Sequence, residues 1–440
     1  MGGEVVSPMF SCAECGRRYP ITEVRYRCDC GAPLEIISEG ETPGVTRELF
    51  DGRLAGRLAP AASGVWRFKE LLPPLADEHI VSRPEGNTNL YVVGAAQAGG
   101  FRRIGEYAGL DYLYLKHEGE NPTGSFKDRG MTVGVSQAVA LGARAVACAS
   151  TGNTSASLAS YAAQAGLVCF VFVPEGKISS GKLAQTLGYG AVTLQVRGDF
   201  DAAMKLVEEV CRELDVYLLN SVNPFRIEGQ KTIAFELLQQ LGWEAPDWIV
   251  LPAGNLGNTA ALGKALLEAH KLGLIDRLPR LAPVQAAGAN PFYRSFRVGF
   301  AQRFAVPAET VASAIKIGNP VSFERARQAV RATNGVVAEV SDEAILEAKA
   351  MIDRAGIGCE PASAASLAGA RRLAQDGTIR PGERVAGILT GHILKDADTT
   401  FNYHMGGGQG SGSERPLYAN RPVVIEGKME EVRRALESYL

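Results

Sequence analysis

One pattern recurs along most of this chain and limits its fold more than any other feature. A short apolar run ends in a loop of small residues, and a segment with helical spacing follows, as in the stretches beginning at residues 145, 191 and 248. Apolar strands that alternate with helices indicate parallel sheets covered on both faces. The sequence therefore predicts an α/β protein, whose ligands bind beyond the carboxyl ends of the strands.

Length and charge narrow the class of protein further. The chain has 440 residues, which is enough for two or three domains, and 46% of them are hydrophobic. Its 46 basic and 48 acidic residues nearly balance, which disfavours nucleic acid as a partner. No apolar run approaches the roughly 20 residues of a membrane helix, and the first residues lack the pattern of a signal peptide. We expect a cytoplasmic protein with no membrane partner.

A lysine stands in an unusual local context at the end of Asn121-Pro-Thr-Gly-Ser-Phe-Lys127. The small residues before it favour a tight turn, and the spacing predicts a helix over residues 128–141. An ordinary surface lysine before a helix is one interpretation. The other is a Schiff-base lysine presented into a pocket, where partial desolvation makes the amine nucleophilic near neutral pH.

A second loop has the character of an anion site. Gly254-Asn-Leu-Gly257-Asn-Thr259 follows a predicted strand and opens a predicted helix. Glycines let backbone amides close on an anion, and a helix N-terminus adds partial positive charge. The spacing matches neither a Rossmann fingerprint nor a Walker loop, and a plain strand–helix turn is the alternative. A reactive lysine beside a phosphate cradle is what pyridoxal phosphate (PLP) requires.

Four cysteines cluster near the start, as Cys12-x2-Cys15 and Cys28-x-Cys30. Glycine follows each pair, and four thiolates on two tight turns can surround one tetrahedral Zn²⁺. The second pair is one residue shorter than usual, and disulfides or free thiols are the alternatives. The missing secretion signal argues against disulfides. A metal here would be structural, because four cysteines leave no open coordination position.

A resemblance to a known family rests on several motifs that occur in order. The motifs lie at residues 121–129, 150–157, 220–232, 252–259, 314–322, 360–366 and 390–395. There the chain resembles the threonine synthases, which belong to the tryptophan-synthase-β-like family of PLP-dependent enzymes. The likeness covers most of residues 64–398, and the cysteine module resembles the zinc ribbon of some members. It implies two doubly wound open sheets of fold type II architecture plus a small N-terminal zinc ribbon.

The same resemblance implies a division into domains. Residues 1–45 would form the ribbon-like module and the start of a linker over residues 41–63. Residues 46–118 and 206–415 would form a large PLP-binding domain, and residues 119–205 a small α/β domain. The glycine-rich stretch 406–413 predicts a mobile loop. In the tail, residues 416–440, Met429, Val432, Leu436 and Leu440 have helical spacing that predicts a helix packed on the protein body.

Roles in cofactor binding follow from the resemblance. Lys127 would carry the cofactor, and Asn153 would bond its ring hydroxyl oxygen. Thr390 would face the pyridine nitrogen. A hydroxyl keeps that nitrogen protonated far less than a carboxylate would, which favours eliminations. The cofactor phosphate would be held by the residues of the glycine-containing loop, Gly254, Asn255, Leu256, Gly257, Asn258 and Thr259.

Substrate roles are implied for two other loops. Ser150, Thr151 and Thr154 would cradle an amino-acid carboxylate at a helix start, although serine and threonine also favour that position as simple caps. In the second loop Asn220, Ser221 and Arg226 would bind the phosphate of O-phosphohomoserine, with added charge from Lys231. A surface turn with salt bridges is the alternative for this second loop.

The resemblance therefore implies a PLP-dependent lyase and a homodimer. The expected reaction converts O-phospho-L-homoserine and water to L-threonine and phosphate by γ-elimination and β-addition of water. One departure is Asn89, which stands where the family has proline. Alternatives are a threonine or serine dehydratase, a phosphoserine-using synthase, or a non-catalytic regulator that combines a zinc ribbon with a PLP fold.

Overall fold

The computed structural model describes residues 8–38, 44–58, 60–175, 180–198, 200–406 and 416–437. Nearly all of the predicted loop at 406–413 lies outside the described residues. Parts of the predicted linker, residues 41–43 and 59, lie outside them as well.

Thirteen strands form three sheets in the described part of the chain. In chain order they are β1 (Met9–Cys12), β2 (Arg18–Pro20), β3 (Leu34–Ile37), β4 (Leu90–Val92), β5 (Tyr112–His117), β6 (Ala145–Ala149), β7 (Val168–Pro174), β8 (Val192–Val196), β9 (Tyr217–Leu218), β10 (Trp248–Pro252), β11 (Arg280–Ala286), β12 (Ala338–Val340) and β13 (Arg384–Leu389).

Fourteen α-helices accompany these strands over the same described ranges. They are α1 (Arg47–Gly52), α2 (Arg102–Ala108), α3 (Lys127–Ala140), α4 (Asn153–Ala165), α5 (Ser180–Gly188), α6 (Phe200–Glu213), α7 (Pro224–Gln240), α8 (Gly257–Lys271), α9 (Pro291–Arg297), α10 (Phe323–Ala332), α11 (Asp342–Arg354), α12 (Pro361–Gln375), α13 (Ala397–Met405) and α14 (Met429–Glu437).

The larger sheet has six strands in the order β12-β11-β10-β13-β5-β4. All neighbouring pairs are parallel except β4 with β5. Alternate residues of β10 enter different cores, because side chains of a strand point to opposite faces. Trp248 and Val250 pack with residues of α11 and α12, whereas Ile249 and Leu251 pack with α7 and α8. Helices thus cover both faces, as the recurring pattern predicts.

The smaller sheet has four parallel strands in the order β8-β7-β6-β9. Its β6 shows the same alternation, since Cys148 packs with α3 and α4 and Ala147 packs with α6. The expected domain boundary between residues 205 and 206 falls inside α6, and β9 pairs with β6. The smaller lobe therefore extends to Leu218. The apolar pair Tyr217–Leu218 is too short to be recognised as a strand in the sequence.

The N-terminal module is a three-stranded antiparallel sheet in the order β2-β1-β3. Its buried side chains, among them Phe10 and Leu34, share one core with Trp66, Val133 of α3 and Phe225 of α7. The module, which we call the ribbon (residues 8–38), is therefore packed against the rest of the protein.

Two glycines allow α3 and α7 to pack closely. A Cβ on Gly229 of α7 would lie 1.8 Å from the carbonyl oxygen of Arg129, and one on Gly130 of α3 would lie 2.9 Å from the carbonyl oxygen of Arg226. Side chains at these positions would force the helices apart. This contact matters for the site because α3 begins at Lys127 and α7 carries Arg226 in its first turn.

The C-terminal helix forms where the sequence predicts it, but its packing differs from the expectation. Leu440 lies outside the described residues. Among the described residues of α14 none is buried, and Met429 is 73% exposed. The prediction that this helix packs on the protein body is therefore wrong for the part of the tail that the structure describes. Over the described residues, no helix has the length and apolar character needed to span a bilayer.

Candidate active site

Lys127 is the first residue of α3 and follows the turn that the sequence predicts. Gly124 has a φ of 84°, which favours glycine, and its amide donates to the carbonyl oxygen of Asn121 at 2.8 Å. The buried carboxylate of Asp128 accepts bonds from the amide and hydroxyl of Thr123 and from the hydroxyl of Ser157. Burial raises the pKa of Asp128 to about 6, against those hydrogen bonds. The turn is therefore held rigidly before the lysine.

The amine of Lys127 lies in a poorly hydrated place. Desolvation, with Arg226 as the second cause, lowers the pKa of Lys127 to about 7, and Glu360 opposes this shift. The Nζ lies 3.7 Å from the centroid of the Phe126 ring. A neutral amine is thus abundant near neutral pH, and neutral amines attack carbonyl carbons.

The loop from β10 into α8 forms an anion cradle. Buried polar atoms of Asn258 and Thr259 at the start of α8 have no hydrogen-bond partner, although such atoms are normally paired. Leu256 has a φ of 64°, an uncommon conformation for a residue with a side chain. A Cβ on Gly254 would lie 2.9 Å from the Cα of Ile315, so only glycine fits there. Helix direction, unpaired donors and strained backbone all suit a bound anion.

Two predicted site residues, Asn153 and Thr390, meet at the buried carboxylate of Glu360. Glu360, just before α12, accepts a bond from Asn153 Nδ2 at 3.0 Å and lies 3.4 Å from the hydroxyl of Thr390. Thr390 follows β13, and its carbonyl oxygen accepts from the amide of Phe126 at 3.0 Å. Asn153, Thr390 and Lys127 therefore belong to one site. Burial raises the pKa of Glu360, whereas Asn153 and Lys127 act to lower it.

The segment predicted to bind substrate, residues 220–232, begins just after β9 and continues into α7. We call residues 219–226, from the end of β9 to the first turn of α7, the substrate loop. Arg226 is buried, and its Nε has no hydrogen-bond partner. Burial lowers the pKa of Arg226 to about 10, so the guanidinium is still charged at neutral pH. Ser221 accepts a bond from Asn255 Nδ2 at 2.8 Å, which ties this loop to the anion cradle.

Two other polar residues of this stretch, Asn220 and Lys231, already have partners within the protein. The amide of Asn220 bonds the backbone of Ala149 through both its oxygen and its nitrogen, at 2.9 and 3.0 Å. Asn220 thus aligns the loop with the end of β6. Lys231 is paired with Glu228 at 2.7 Å and with Glu268 at 2.8 Å. The expectation that Lys231 adds charge to the substrate site is therefore wrong, because two carboxylates neutralise it.

Ser150, Thr151 and Thr154 lie around the start of α4, next to Asn153. The hydroxyl of Ser150 accepts from the amide of Gly152 at 3.2 Å, which shapes the loop. All three side chains are partly exposed. Their role in binding a carboxylate stays a prediction.

Comparison with known proteins shows the family to which the chain belongs. The family model described as "Pyridoxal-phosphate dependent enzyme" matches residues 81–391. Threonine synthase of Methanocaldococcus jannaschii is 44% identical over 97% of this chain and 98% of its own length. Chloroplastic threonine synthase 2 of Arabidopsis thaliana is 40% identical over 96% of this chain and 82% of its own. The chain belongs to the threonine synthase family of pyridoxal-phosphate dependent enzymes.

Solved structures support the fold of this threonine synthase family member. Processed threonine deaminase isoform 2 from Solanum lycopersicum matches with a TM-score of 0.60 and 19% identity, over 72% of this chain and 83% of that one. Maize serine racemase matches with a TM-score of 0.60 and 20% identity, over 73% and 92% of the two chains. The expected fold type II architecture is therefore confirmed.

The described residues of the threonine synthase family member fit PLP. Lys127 offers a depressed pKa for bonding an aldehyde, and the start of α8 offers unpaired donors for a phosphate. Asn153 and Thr390 lie together beside Lys127, where a pyridine ring would need polar partners. The protein is a PLP-dependent lyase, and these are the residues that would hold the cofactor.

Sequence analysis missed the role of two carboxylates in the threonine synthase site. Glu360 lies in a motif of the resemblance but received no function, because nothing local shows that it meets Asn153 from 207 residues away. Asp128 could have been found from its place directly after the lysine. His392 accepts from the amide of Leu394 at 3.2 Å and caps a short helix, which is a structural role.

The cysteine cluster of the ribbon lies apart from this site. Its four sulfur atoms lie within 4.8 Å of one another. The sulfur of Cys12 lies 3.6 Å from that of Cys30, the sulfur of Cys15 lies 3.5 Å from that of Cys28, and no disulfide joins these four cysteines. The amide of Cys15 points at the sulfur of Cys12 at 3.4 Å. This donor set suits one thiophilic ion.

Proposed function

We propose that the chain converts O-phospho-L-homoserine and water to L-threonine and phosphate. The observation that carries this proposal is a buried guanidinium with an unpaired Nε, that of Arg226, close enough to Lys127 to depress the pKa of its amine. An enzyme for a plain hydroxy amino acid needs no second cationic site beside the cofactor cradle. A substrate that carries its own phosphate does need one.

Lys127 would act as the proton carrier of this reaction. When bound, PLP supplies an aldehyde for the substrate amino group and a ring that accepts electrons from Cα. The reaction requires removal of one proton at Cα and one at Cβ, and loss of phosphate from Cγ. A proton then returns at Cγ, the hydroxyl of a water molecule adds at Cβ, and a proton returns at Cα. An amine with a pKa of about 7 can both accept and return protons near neutral pH.

Arg226 would stabilise the departing phosphate. Charge builds on the leaving group as the bond to Cγ breaks, and a buried cation interacts with that charge more strongly than one in water. Its guanidinium can present two parallel donors, of which the Nε is unpaired. Ser221, held by Asn255, would add a hydroxyl to the same anion.

Thr390, Asn153 and Glu360 would set the orientation and polarity of the cofactor ring. The hydroxyl of Thr390 lies 3.0 Å from that of Ser363, so a neutral hydroxyl pair would face the pyridine nitrogen, where many enzymes have a carboxylate. A neutral partner stabilises negative charge on the ring less, which favours early loss of the leaving group. Glu360 would hold Asn153 in place through its 3.0 Å bond.

The direct test is incubation of the cofactor-loaded protein with O-phospho-L-homoserine. Threonine and inorganic phosphate should form in equal amounts. A 2-oxo acid with ammonia instead, from threonine or serine and with no use of the phosphorylated substrate, would identify a dehydratase and refute the proposal.

Arg226→Ala tests the second anion site. Loss of one partner of a buried charged contact typically costs about 2–5 kcal/mol, so kcat/KM for the phosphorylated substrate should fall at least roughly 30-fold. Binding of L-threonine, which has no phosphate, should change little. Arg372→Ala, at an exposed arginine of α12, is the matched control. An unchanged kcat/KM would remove the proposed role of Arg226.

Two further expectations, on the compartment and on the oligomeric state, also belong to this proposal. We propose that the enzyme acts in the cytoplasm on a soluble phosphorylated amino acid, and that it is a homodimer. Light scattering of the cofactor-loaded protein tests the second point, and a monomer mass would refute it.

A further inference from the structure

The ribbon is attached to both lobes at positions next to the proposed substrate site. On the smaller lobe, the hydroxyl of Tyr26 accepts from the amide of Leu218 at 2.9 Å, and its ring packs edge-on against Tyr217 at 5.8 Å. On the larger lobe, Phe10 packs edge-on against Phe225 at 5.9 Å. Leu218 directly precedes the substrate loop, and Phe225 directly precedes Arg226. The ribbon therefore holds both ends of that loop.

A second line of contacts runs from the ribbon to the cofactor cradle. Arg325 of α10 donates to the carbonyl oxygen of Leu34 at 3.2 Å and to the hydroxyl of Ser322 at 2.9 Å. The amide of Ser322 donates to the carbonyl oxygen of Asn255 at 3.2 Å, and Asn255 bonds Ser221. In addition, Lys264 of α8 bonds the carbonyl oxygen of Ile36. The ribbon thus touches both walls between which a substrate phosphate would lie.

The ribbon packs on the protein body, but its own strands are short. They have four, three and four residues, so a metal held by its four cysteines would add to the rigidity that the packed core supplies. Its cysteines are free, and their sulfurs lie 3.5 to 4.8 Å apart. A tetrahedron of thiolates around Zn²⁺ has edges of about 3.8 Å, from Zn–S bonds of about 2.3 Å. One ion therefore fits with small movements.

We propose that Cys12, Cys15, Cys28 and Cys30 bind one thiophilic divalent ion, and that the metal-loaded ribbon positions the substrate loop for phosphate binding. Tyr26 and Phe10 are positioning residues in this scheme, since neither reaches the reacting atoms. The inference rests on the proposed function, because it assumes that the substrate loop receives a phosphate. Loss of the metal would loosen Leu218 and Phe225, and with them Arg226, while Lys127 and its turn would stay in place.

The test uses the cofactor-loaded protein and inorganic phosphate, with binding measured by titration calorimetry. Metal analysis should give one zinc per chain. Tyr26→Phe keeps the ring but removes the acceptor for the amide of Leu218, so phosphate should bind about 2- to 10-fold more weakly. The visible absorption of the cofactor should not change. Tyr112→Phe, at a tyrosine that is 46% exposed at the start of β5, is the matched control.

A double variant tests the metal itself. Cys15 and Cys30 are the exposed pair of ligands, so Cys15→Ser with Cys30→Ser removes metal binding with little disturbance of the ribbon core. Phosphate should then bind at least as weakly as in Tyr26→Phe, with the cofactor absorption retained.

Three results would overturn the inference: no bound metal in the purified protein, wild-type phosphate affinity in Tyr26→Phe, or wild-type affinity in the double variant. Arg226→Ala in the same titration separates this failure from that of the proposed function. If Arg226→Ala weakens phosphate binding and the ribbon variants do not, only the ribbon's role is refuted. If Arg226→Ala also has no effect, the phosphate site itself is refuted.

Discussion

Lys127 differs from an ordinary surface lysine in the pKa of its amine. It is the first residue of α3, and burial together with the nearby Arg226 lowers the pKa of its amine to about 7. The neutral form is therefore favoured above this pH, about three units below the point at which a free lysine loses its proton. The rate at which the cofactor-free protein captures PLP should rise with pH and reach half its maximum near pH 7.

Substitution at this residue gives the corresponding prediction. Lys127→Ala should abolish turnover and the visible absorption of the bound cofactor, because no other amine would be bonded to the aldehyde. Absorption spectra and a phosphate-release assay measure both effects. Lys271→Ala, at an exposed lysine at the end of α8, should leave both unchanged. Steady turnover in Lys127→Ala, or a capture midpoint near pH 10 in the wild type, would contradict the assignment.

Contacts between helices fix the positions of Lys127 on α3 and Arg226 on α7. The closest contact is between α3 and α7, where Gly229 leaves no room for a side chain against the backbone of Arg129. Gly229→Ala should push the helices apart and displace Lys127, two residues before Arg129. Overpacking of this kind typically costs about 1–3 kcal/mol, and rigid backbone on both sides favours the upper end.

Urea unfolding and kcat measure this effect on stability and on the site. Gly52→Ala is the matched control, since a Cβ at the end of α1 would meet no atom within 4 Å. We expect Gly52→Ala to be neutral or slightly stabilising, because alanine favours helix more than glycine. Equal stability and activity of the two variants would show that the α3–α7 contact tolerates a side chain.

The elements also show where sequence reasoning succeeds. The predicted strand at residues 145–149 and the helix that begins at the glycine-containing loop occur at those positions, because both signals are local. The positions of Asn220 and Lys231 could not be predicted in this way. Ala149 lies 71 residues from Asn220, and Glu268 lies 37 residues from Lys231, so local sequence does not show these two contacts. The contact of Lys231 with Glu228, three residues earlier on α7, could have been found from the helical spacing.

At the scale of the whole molecule, the two lobes share a buried ionic network that no sequence motif indicates. Glu236 of α7 accepts from Lys116 of β5 at 2.6 Å and from Arg129 of α3 at 2.8 Å. It also accepts from the amides of Asn87 and Thr88, at 2.8 and 3.1 Å. The four contacts of Glu236 join residues between 107 and 149 positions apart in sequence, close to the start of α3, which is why only the folded structure reveals the network.

Glu236 should make the stability of the whole molecule depend on acid. Arg129 and Lys116 lower the pKa of its carboxyl well below the usual range, despite its burial. The folded protein therefore keeps the carboxylate charged after the unfolded chain has taken up a proton. The resulting stabilisation is complete above the unfolded value of about 4.3 and is lost as the pH falls towards the lower folded value.

Glu236→Gln tests this point, because it leaves buried cations without their counterion. The free energy of unfolding at neutral pH should fall by about 3–5 kcal/mol, and its decrease between about pH 5 and pH 3 should be smaller than in the wild type. Glu244→Gln is the matched control, since Glu244 is 75% exposed in its pair with Arg384 and should contribute less than about 1 kcal/mol. Urea unfolding across this pH range measures both quantities. If Glu236→Gln and Glu244→Gln showed the same stability and the same pH dependence, the buried network would not be what holds α3 between the two lobes.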